Sequence, residues 1–167
     1  MLFYLLALVI LAFDQIFKYL VHHLMSFGQS VPIYSNFLKL TYVRNTGAAF
    51  SLFVGFSSYL IVIGIAVVIA VIVFHHKLSK KNYWMQTSLA FVLGGSLGNL
   101  LDRIFRAYVI DYMDITVWPV FNFADIMINI GVIMIAMKMF EKEAEEIHEI
   151  NEEERFIRGL EHVSDIE

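Results

Sequence analysis

The chain has 167 residues, of which 59% are hydrophobic, and its mean hydropathy is +0.68. A soluble domain of this length cannot bury so much apolar surface, so the composition predicts a membrane protein. The net charge of −4 is unevenly distributed, because residues 1–140 carry nine Lys/Arg and five Asp whereas residues 141–167 carry three Lys/Arg and eleven acids. The chain has no cysteine, which excludes disulfides, thiolate nucleophiles and thiolate metal sites.

Four stretches are apolar and close to the roughly 20 residues that a membrane-crossing helix needs. They are 1–21, 57–74, 84–101 and 121–140. The first lacks the charged start and the cleavage site of a signal peptide, and Asp14 and Lys18 interrupt it, so we interpret it as a retained helix. We therefore divide the chain into a four-helix membrane domain, 1–140, and an acidic cytoplasmic tail, 141–167.

The distribution of lysine predicts the orientation in the membrane. Three lysines lie in the short segment HHKLSKK at 75–81, and Lys138 and Lys142 flank the end of the fourth span. By the positive-inside rule these segments are cytoplasmic. Both termini then lie inside, and the loops 22–56 and 102–120 lie outside.

Both outer loops are expected to lie on or in the outer leaflet. Residues 37–44, FLKLTYVR, alternate largely between apolar and polar and predict a short strand. The turn RNTG at 44–47 would reverse the chain into a returning segment at 48–53. The second loop contains the apolar run 108–121, in which Trp118 suits the membrane–water interface.

All the acids of residues 1–140 are aspartates that lie in or against apolar stretches: Asp14, Asp102, Asp111, Asp114 and Asp125. Ionisable groups at membrane depth are costly, and their presence indicates a function by default. These five aspartates are therefore the first candidates for the chemistry of the protein.

Asp111 and Asp125 are the strongest pair. Fourteen residues separate them, enough for the chain to turn and bring both carboxylates to the outer mouth of the bundle, and Asn122, Asp125 and Asn129 share one helical face. Two close carboxylates in a low dielectric share one proton, which leaves one acid and one base at neutral pH. Such a pair can activate a water against an amide and protonate the leaving amine.

Each aspartate of the pair also has a simpler interpretation. Asp125, with Asn122 as a cap, could merely satisfy backbone donors at the start of a helix. Asp111 could serve a turn within the apolar loop. Only the presence of both carboxylates favours catalysis over these structural roles.

Two further groups of polar residues lie inside predicted helices. Asp14 and Lys18 have the i, i+4 spacing of a helical ion pair, which could neutralise a buried lysine or position a ligand. Asn99, Asp102 and Arg103 share one face of the third span, whereas Arg106 is expected to have no such partners. Arg103 could also snorkel to the boundary or bind an anionic headgroup.

Three other patterns favour structural roles. Ala90, Gly94 and Gly98 form a small-residue ridge that allows close helix packing. GGSLG at 94–98 matches a serine-nucleophile motif, but it lies inside a predicted helix rather than at a strand-to-helix turn, so we reject a serine hydrolase. The tail 141–167 predicts a solvated, partly frayed helix, with a partner-binding helix as the alternative.

Five segments resemble, in order, the conserved boxes of the bacterial lipoprotein signal peptidase (signal peptidase II) family. They are DQIFK at 14–18, RNTGAAFS at 44–51, GGSLGNLLDR at 94–103, VIDYMD at 109–114 and FNFAD at 121–125. The matches cover most of residues 10–130. Tyr112 stands where the family usually has phenylalanine, and the acidic tail has no counterpart in the boxes.

The resemblance implies an all-α membrane aspartyl protease with four transmembrane helices and a small extracytoplasmic β-cradle. It would cleave prolipoproteins just before a cysteine that carries diacylglycerol. By motif match Asp111 and Asp125 are the catalytic pair. The positions that bind the substrate or order the site are Asp14, Lys18, Asn45, Gly47, Asn99, Asp102, Arg103, Asn122 and Ala124.

The resemblance also gives expectations for the surroundings of the site. Asn45 and Arg103 would hold the carbonyls of the substrate backbone, while Asn99, Asp102 and Asp14 would fix Arg103 and the helix packing. We expect a monomer in the cell membrane among membrane lipids, with its active site at the outer face. No metal, cofactor or nucleic acid is expected.

Two other classes of protein compete with this hypothesis. A small ion-coupled carrier would use membrane Asp and Lys residues as proton relays, but the chain shows no internal repeat and its acids gather at one face. A non-catalytic assembly factor would leave the pairing of Asp111 with Asp125 unexplained.

Overall fold

A computed structural model describes residues 2–35, 37–47 and 57–164 of the chain. Within these ranges the protein consists of four long helices and a three-stranded sheet. The helices are α1 (Leu2–Leu24), α2 (Ser57–Lys77), α3 (Tyr83–Arg106) and α4 (Phe123–Ser164). The strands are β1 (Ser30–Tyr34), β2 (Leu38–Asn45) and β3 (Val109–Asp114).

By length and composition, three of the described helices can cross a membrane. These are α1, α2 and the part of α4 from Phe123 to Glu143. The third predicted span, 84–101, is a helix, but α3 is less apolar than the other three predicted spans. Its position explains this, because α3 contacts α1, α2 and α4 and buries thirteen of its residues, so that polar side chains on it meet protein rather than lipid.

The close packing around α3 depends on its small residues, as predicted for the ridge. A side chain at Gly94 would come within 2.7 Å of the backbone oxygen of Ala7 on α1. At the next position, a side chain at Gly95 would come within 2.5 Å of the backbone oxygen of Ala124 on α4. Backbones that approach this closely leave no room for a methyl group, so glycine is required at both positions. The GGSLG motif therefore lies within a packed helix, which confirms that it is not a nucleophile elbow.

The sheet is antiparallel with the strand order β1–β2–β3. The strand predicted at 37–44 is confirmed as β2, one residue later at each end. β2 pairs with β3, so that Val43 lies opposite Asp111 and Arg44 lies opposite Ile110. Tyr42 packs with Val21 at the end of α1, which seats the sheet on the helices. The returning segment predicted at 48–53 lies outside the described residues.

The helix α4 begins two residues after the predicted start of the fourth span and continues without a break to Ser164. The prediction that the acidic tail is helical is confirmed for residues up to 164. β1 and β3 are the elements that the sequence pattern did not predict. β3 places Asp111 on a strand rather than in an irregular loop.

Candidate active site

Asp111 and Asp125 lie in the wall of one cavity of about 1080 Å³. Strands β2 and β3, helices α3 and α4, and the loop between β3 and α4 line this cavity. The side chain of Asp111 is nearly inaccessible, since the residue is only 2% exposed, whereas Asp125 is half-buried. The predicted convergence of the two aspartates is therefore present, and the two carboxylates differ in their access to solvent.

Asp111 is held by two side-chain amides. Asn45 Nδ2 donates to Asp111 Oδ2 at 2.8 Å, and Asn122 Nδ2 donates to Asp111 Oδ1 at 2.6 Å. Asn45 itself is fixed by the turn that follows β2, because its Oδ1 accepts a hydrogen bond from the Gly47 backbone N–H at 3.0 Å. One oxygen of Asp111 is thus oriented from the sheet and the other from the start of α4.

Asp125 both caps its helix and faces the cavity. Asn122 Oδ1 accepts from the Asp125 backbone N–H at 3.0 Å, and Asp125 Oδ2 accepts from the Asn122 backbone N–H at 3.1 Å. This reciprocal pair is a capping box. Asn99 Nδ2 donates to the other oxygen, Asp125 Oδ1, at 2.8 Å. Asp125 therefore caps the helix, as the simpler interpretation predicted, and it also lies in the cavity wall.

A fully buried lysine lies behind the pair. Lys18 Nζ contacts Asp14 Oδ2 at 2.9 Å, Asp102 Oδ2 at 3.2 Å and Asn99 Oδ1 at 2.9 Å, and the Lys18, Asp14 and Asp102 side chains are 0% exposed. The predicted i, i+4 ion pair is confirmed. An ammonium group only donates, so Asn99 must turn its oxygen toward Lys18 and its NH₂ group toward Asp125.

The two carboxylates that neutralise Lys18 also tie the backbone together. Asp14 Oδ1 accepts from the Ala124 backbone N–H at 3.1 Å, which joins α1 to the start of α4. Asp102 Oδ2 accepts from the Ile110 backbone N–H at 3.1 Å, which joins α3 to β3. The strand and the helix that carry the aspartate pair are therefore anchored to one buried ionic cluster.

The site residues expected from the motifs separate into two groups. Those that line the cavity are Asn45, Gly47, Asn99, Arg103, Asp111 and Asp125. The remaining ones lie behind the cavity and order it: Asp14, Lys18, Asp102, Asn122 and Ala124.

The expectation for the two arginines of α3 was wrong about which of them pairs with Asp102. Arg106, expected to have no such partners, forms an ion pair with Asp102 one turn earlier on α3. Arg103 instead donates to backbone oxygens, at 3.3 Å from Asn99 and 3.4 Å from Gly47. Asp102 pairs with Arg106 because the two lie one helical turn apart, whereas the side chain of the adjacent Arg103 leaves the helix in another direction.

Sequence reasoning also missed contributors to the site. Gln15 Nε2 donates to Asp14 Oδ2 and to the Gly98 backbone oxygen, both at 3.2 Å, and so links α1 to α3 beside the ionic cluster. Its neighbour Asp14 in the DQIFK segment was the only available signal. Arg44 and the loop after β3 line the cavity without any local pattern that indicates it.

Burial controls the charge of Asp111. Loss of solvation, followed by the nearby charge of Asp125, raises the pKa of Asp111 from 3.8 to about 7, although the amides of Asn45 and Asn122 act in the opposite direction. Near neutral pH, Asp111 therefore exchanges a proton readily beside a second carboxylate. A carboxyl group that can take up and release a proton near neutral pH thus lies in one cavity with a second carboxyl group.

The model of the signal peptidase (SPase) II family matches residues 6–141 of the chain. This protein belongs to the signal peptidase II family. It is 39% identical to a lipoprotein signal peptidase of Moorella thermoacetica over 137 residues, covering 82% of this chain and 91% of that protein. It is 36% identical to one of Halothermothrix orenii, covering 84% of this chain and 96% of that protein.

The fold is similar to two solved structures of bacterial membrane enzymes. One superposes with a TM-score of 0.79 at 33% identity, covering 83% of this chain and 87% of that one. The other superposes with a TM-score of 0.74 at 34% identity, covering 81% and 90%. Together with the apolar helices, these similarities place the protein in a membrane. Membership of a peptidase family sets aside both the ion-coupled carrier and the assembly factor.

We predict that the Asp111 carboxyl titrates near pH 7 rather than near its ordinary value. Infrared difference spectra between the detergent-solubilised protein and Asp111→Asn, recorded across pH, would follow the carbonyl stretch of the protonated carboxyl group. Asp125→Asn should lower the midpoint, because it removes a negative charge, but should not restore the ordinary value, because burial is the larger cause. A midpoint near 4 in the unaltered protein would contradict the assignment.

Proposed function

We propose that this protein is a membrane aspartyl endopeptidase that removes the signal peptide from diacylglyceryl-modified prolipoproteins, cutting just before the lipidated cysteine. The observation that carries the proposal is the pair of amide-oriented carboxylates, Asp111 and Asp125, in the wall of one cavity. The membership of the chain in the signal peptidase II family supports the same reaction.

The pair can perform the hydrolysis with its own protons. Asp125 removes a proton from a water held between the carboxylates, and the water oxygen adds to the scissile carbonyl carbon to give a tetrahedral intermediate. Asp111, which holds the shared proton at rest, donates it as the carbon–nitrogen bond breaks, so the new amine leaves neutral. The proton taken from water by Asp125 then restores the shared proton of the pair.

Arg103 and Asn45 are suited to hold the peptide. The guanidinium of Arg103 has five N–H donors, and the backbone oxygens of Asn99 and Gly47 accept from it only at 3.3 and 3.4 Å. Remaining donors can therefore bind substrate carbonyls in the cavity. Asn45 lies between Asp111 and the Gly47 turn, at the point where a peptide strand would pass.

Replacing either aspartate by asparagine should abolish cleavage, because the shape of the side chain is retained while the proton exchange is lost. We expect Asp111→Asn and Asp125→Asn each to lower kcat by at least a thousandfold, on the order of the loss seen when one member of a catalytic unit is removed. The assay follows the shortening of a lipidated prolipoprotein by purified enzyme in detergent. Glu141→Gln, which changes an exposed carboxyl near the end of the membrane-spanning part of α4, is the control. Near-normal turnover by either aspartate variant would end the aspartyl hypothesis.

The cavity also offers a surface for the lipid. Ile126, Ile130 and Ile133 line it at i, i+4 and i+7 spacing on α4, and so continue from the carboxylates along an apolar helix. We propose that the acyl chains remain in the bilayer beside this face while the peptide crosses the aspartate pair. Each buried CH₂ group of an acyl chain contributes about 0.8 kcal/mol to membrane binding. Partitioning into the membrane therefore raises the local concentration of the lipidated substrate near the enzyme.

A peptide identical in sequence but without its diacylglyceryl group should therefore be cleaved very poorly. We expect kcat/KM to fall by at least a hundredfold, since partitioning into the membrane no longer concentrates the substrate. Parallel assays with lipidated and unlipidated peptides in the same detergent measure this ratio. Equal rates would show that the lipid is not recognised.

We propose that α3 is the fourth crossing helix and that both termini are cytoplasmic, with the aspartate pair at the outer face. The support is the central position of α3 among three apolar helices and the excess of lysine in 75–81. A reporter fused after Phe140 should be active only inside the cell, and one inserted within 28–36 only outside. The reverse pattern would place the site away from secreted substrates.

Because both carboxylates and their amide donors belong to one chain, we propose that the enzyme acts as a monomer. We also propose that the reaction uses neither a metal nor a cofactor.

A further inference from the structure

Residues 115–120 form a short loop, here called the wall loop, that connects β3 to the start of α4. Ile115, Trp118, Pro119 and Val120 of this loop line the cavity that holds Asp111 and Asp125. The far end of the loop is fixed to the sheet, because Met113 N donates to Phe121 O at 2.7 Å and Phe121 N donates to Met113 O at 3.0 Å. The course of the chain between β3 and Phe121 decides how much room the cavity has beside the carboxylates.

Asp114, the remaining aspartate among the five, fixes the near end of the wall loop. Its Oδ1 accepts from the Thr116 backbone N–H at 2.8 Å, and its Oδ2 accepts from Thr41 Oγ1 at 2.8 Å. Thr41 also shares a hydrogen bond of 2.8 Å with Ser30 Oγ. One carboxylate therefore joins the first turn of the loop to β2 and, through Thr41, to β1.

The backbone that Asp114 holds is strained. Thr116 has φ of +66°, in the left-handed region that a β-branched residue rarely adopts. Such a conformation persists only where surrounding contacts enforce it. The Asp114 carboxylate supplies such a contact, and the Thr116 hydroxyl adds a longer one to the Phe37 backbone oxygen at 3.4 Å.

The charge of Asp114 is suited to this role. The Thr116 N–H, and after it the Thr41 hydroxyl, hold the pKa of Asp114 below its usual range. The carboxylate is therefore ionised at neutral pH, and hydrogen bonds to an ionised acceptor are stronger than neutral ones. Lys39, which lies opposite Asp114 in the strand pairing, adds a weaker attraction.

We propose that Asp114 is a positioning residue that sets the place of the wall loop and thereby the width of the cavity over the catalytic pair. It does not touch the reacting atoms, and its effect reaches the substrate through Ile115 and Trp118. The kinetic consequence rests on the proposed peptidase function, whereas the position of the loop does not. Loss of the Asp114 hydrogen bonds to Thr116 and Thr41 should weaken substrate binding more than it slows the chemical step.

The experiment compares four variants in a Trp84→Phe background, in which Trp118 is the one remaining tryptophan of the chain. Asp114→Ala removes both bonds, Asp114→Asn retains an acceptor for Thr116, and Thr41→Val removes only the bond to the sheet. Lys39→Ala is the control for a change of surface charge on the same strand pair. Acrylamide quenching of Trp118 fluorescence reports the position of the loop, and KM and kcat are measured with a lipidated prolipoprotein.

We expect Asp114→Ala to alter Trp118 quenching and to raise KM on the order of tenfold with kcat changed less than threefold, which corresponds to the loss of a charge-assisted hydrogen bond. Asp114→Asn should retain most of both properties and Thr41→Val should be intermediate. Lys39→Ala, which removes only the weaker attraction to Asp114, should change both properties least. Adding Thr116→Gly to Asp114→Ala should partly restore KM, because glycine adopts positive φ without strain.

Unchanged quenching and unchanged KM in Asp114→Ala would overturn the proposal, as would a loss confined to kcat. If Asp114→Ala does not fold, Thr41→Val decides the matter by the same two measurements. If the unaltered enzyme fails to cleave the prolipoprotein, the proposed function is wrong. A change of Trp118 quenching in Asp114→Ala would still support the proposal that Asp114 positions the wall loop.

Discussion

The buried ammonium group of Lys18 is the interaction on which the rest of the site depends. A charge with no access to solvent is tolerated only when it is paired and its hydrogen bonds are satisfied, and Lys18 has three acceptors for its three protons. The partners Asp14 and Asp102 each use a second interaction to hold a backbone N–H of another element. Neutralising one lysine therefore also sets the positions of α1, α3, β3 and α4 around the aspartate pair. Removing any member would leave a buried charge uncompensated as well as a loosened site.

Two asparagines connect the ionic cluster to the two carboxylates in the cavity wall, Asp111 and Asp125. Asn99 has its oxygen fixed by Lys18, so its NH₂ group must face Asp125. Asn122 donates to Asn99 Oδ1 at 3.2 Å and to Asp111, while its own oxygen caps α4. Neither amide can flip without placing a donor against a donor. Local helix capping and orientation of the aspartate pair are thus one set of hydrogen bonds rather than alternatives.

Much of this arrangement was predictable from the sequence because it depends on local spacing. The Asp14–Lys18 pair, the strand at 37–44 and the cap at the start of α4 each follow from short-range periodicity or from a single residue type. The pairing of Arg106 with Asp102 has the same i, i+4 spacing as Asp14 with Lys18, so the rule that predicted the one pair also applied to the other and was not used. β3 was missed because its residues read as an apolar loop, and strand pairing with β2 is a long-range property.

The two aspartates occupy different kinds of element, and this difference gives them different surroundings. Asp125 lies in the first turn of a helix, where backbone N–H groups and the helix dipole favour a negative charge, and it is half-buried beside the cavity. Asp111 lies on a strand, is held by the side-chain amides of Asn45 and Asn122 and is nearly inaccessible. Burial raises the pKa of Asp111, so the proton of the proposed pair is better held on the buried strand. In the proposed mechanism, the fold would thus favour Asp111 as the acid before any substrate arrives.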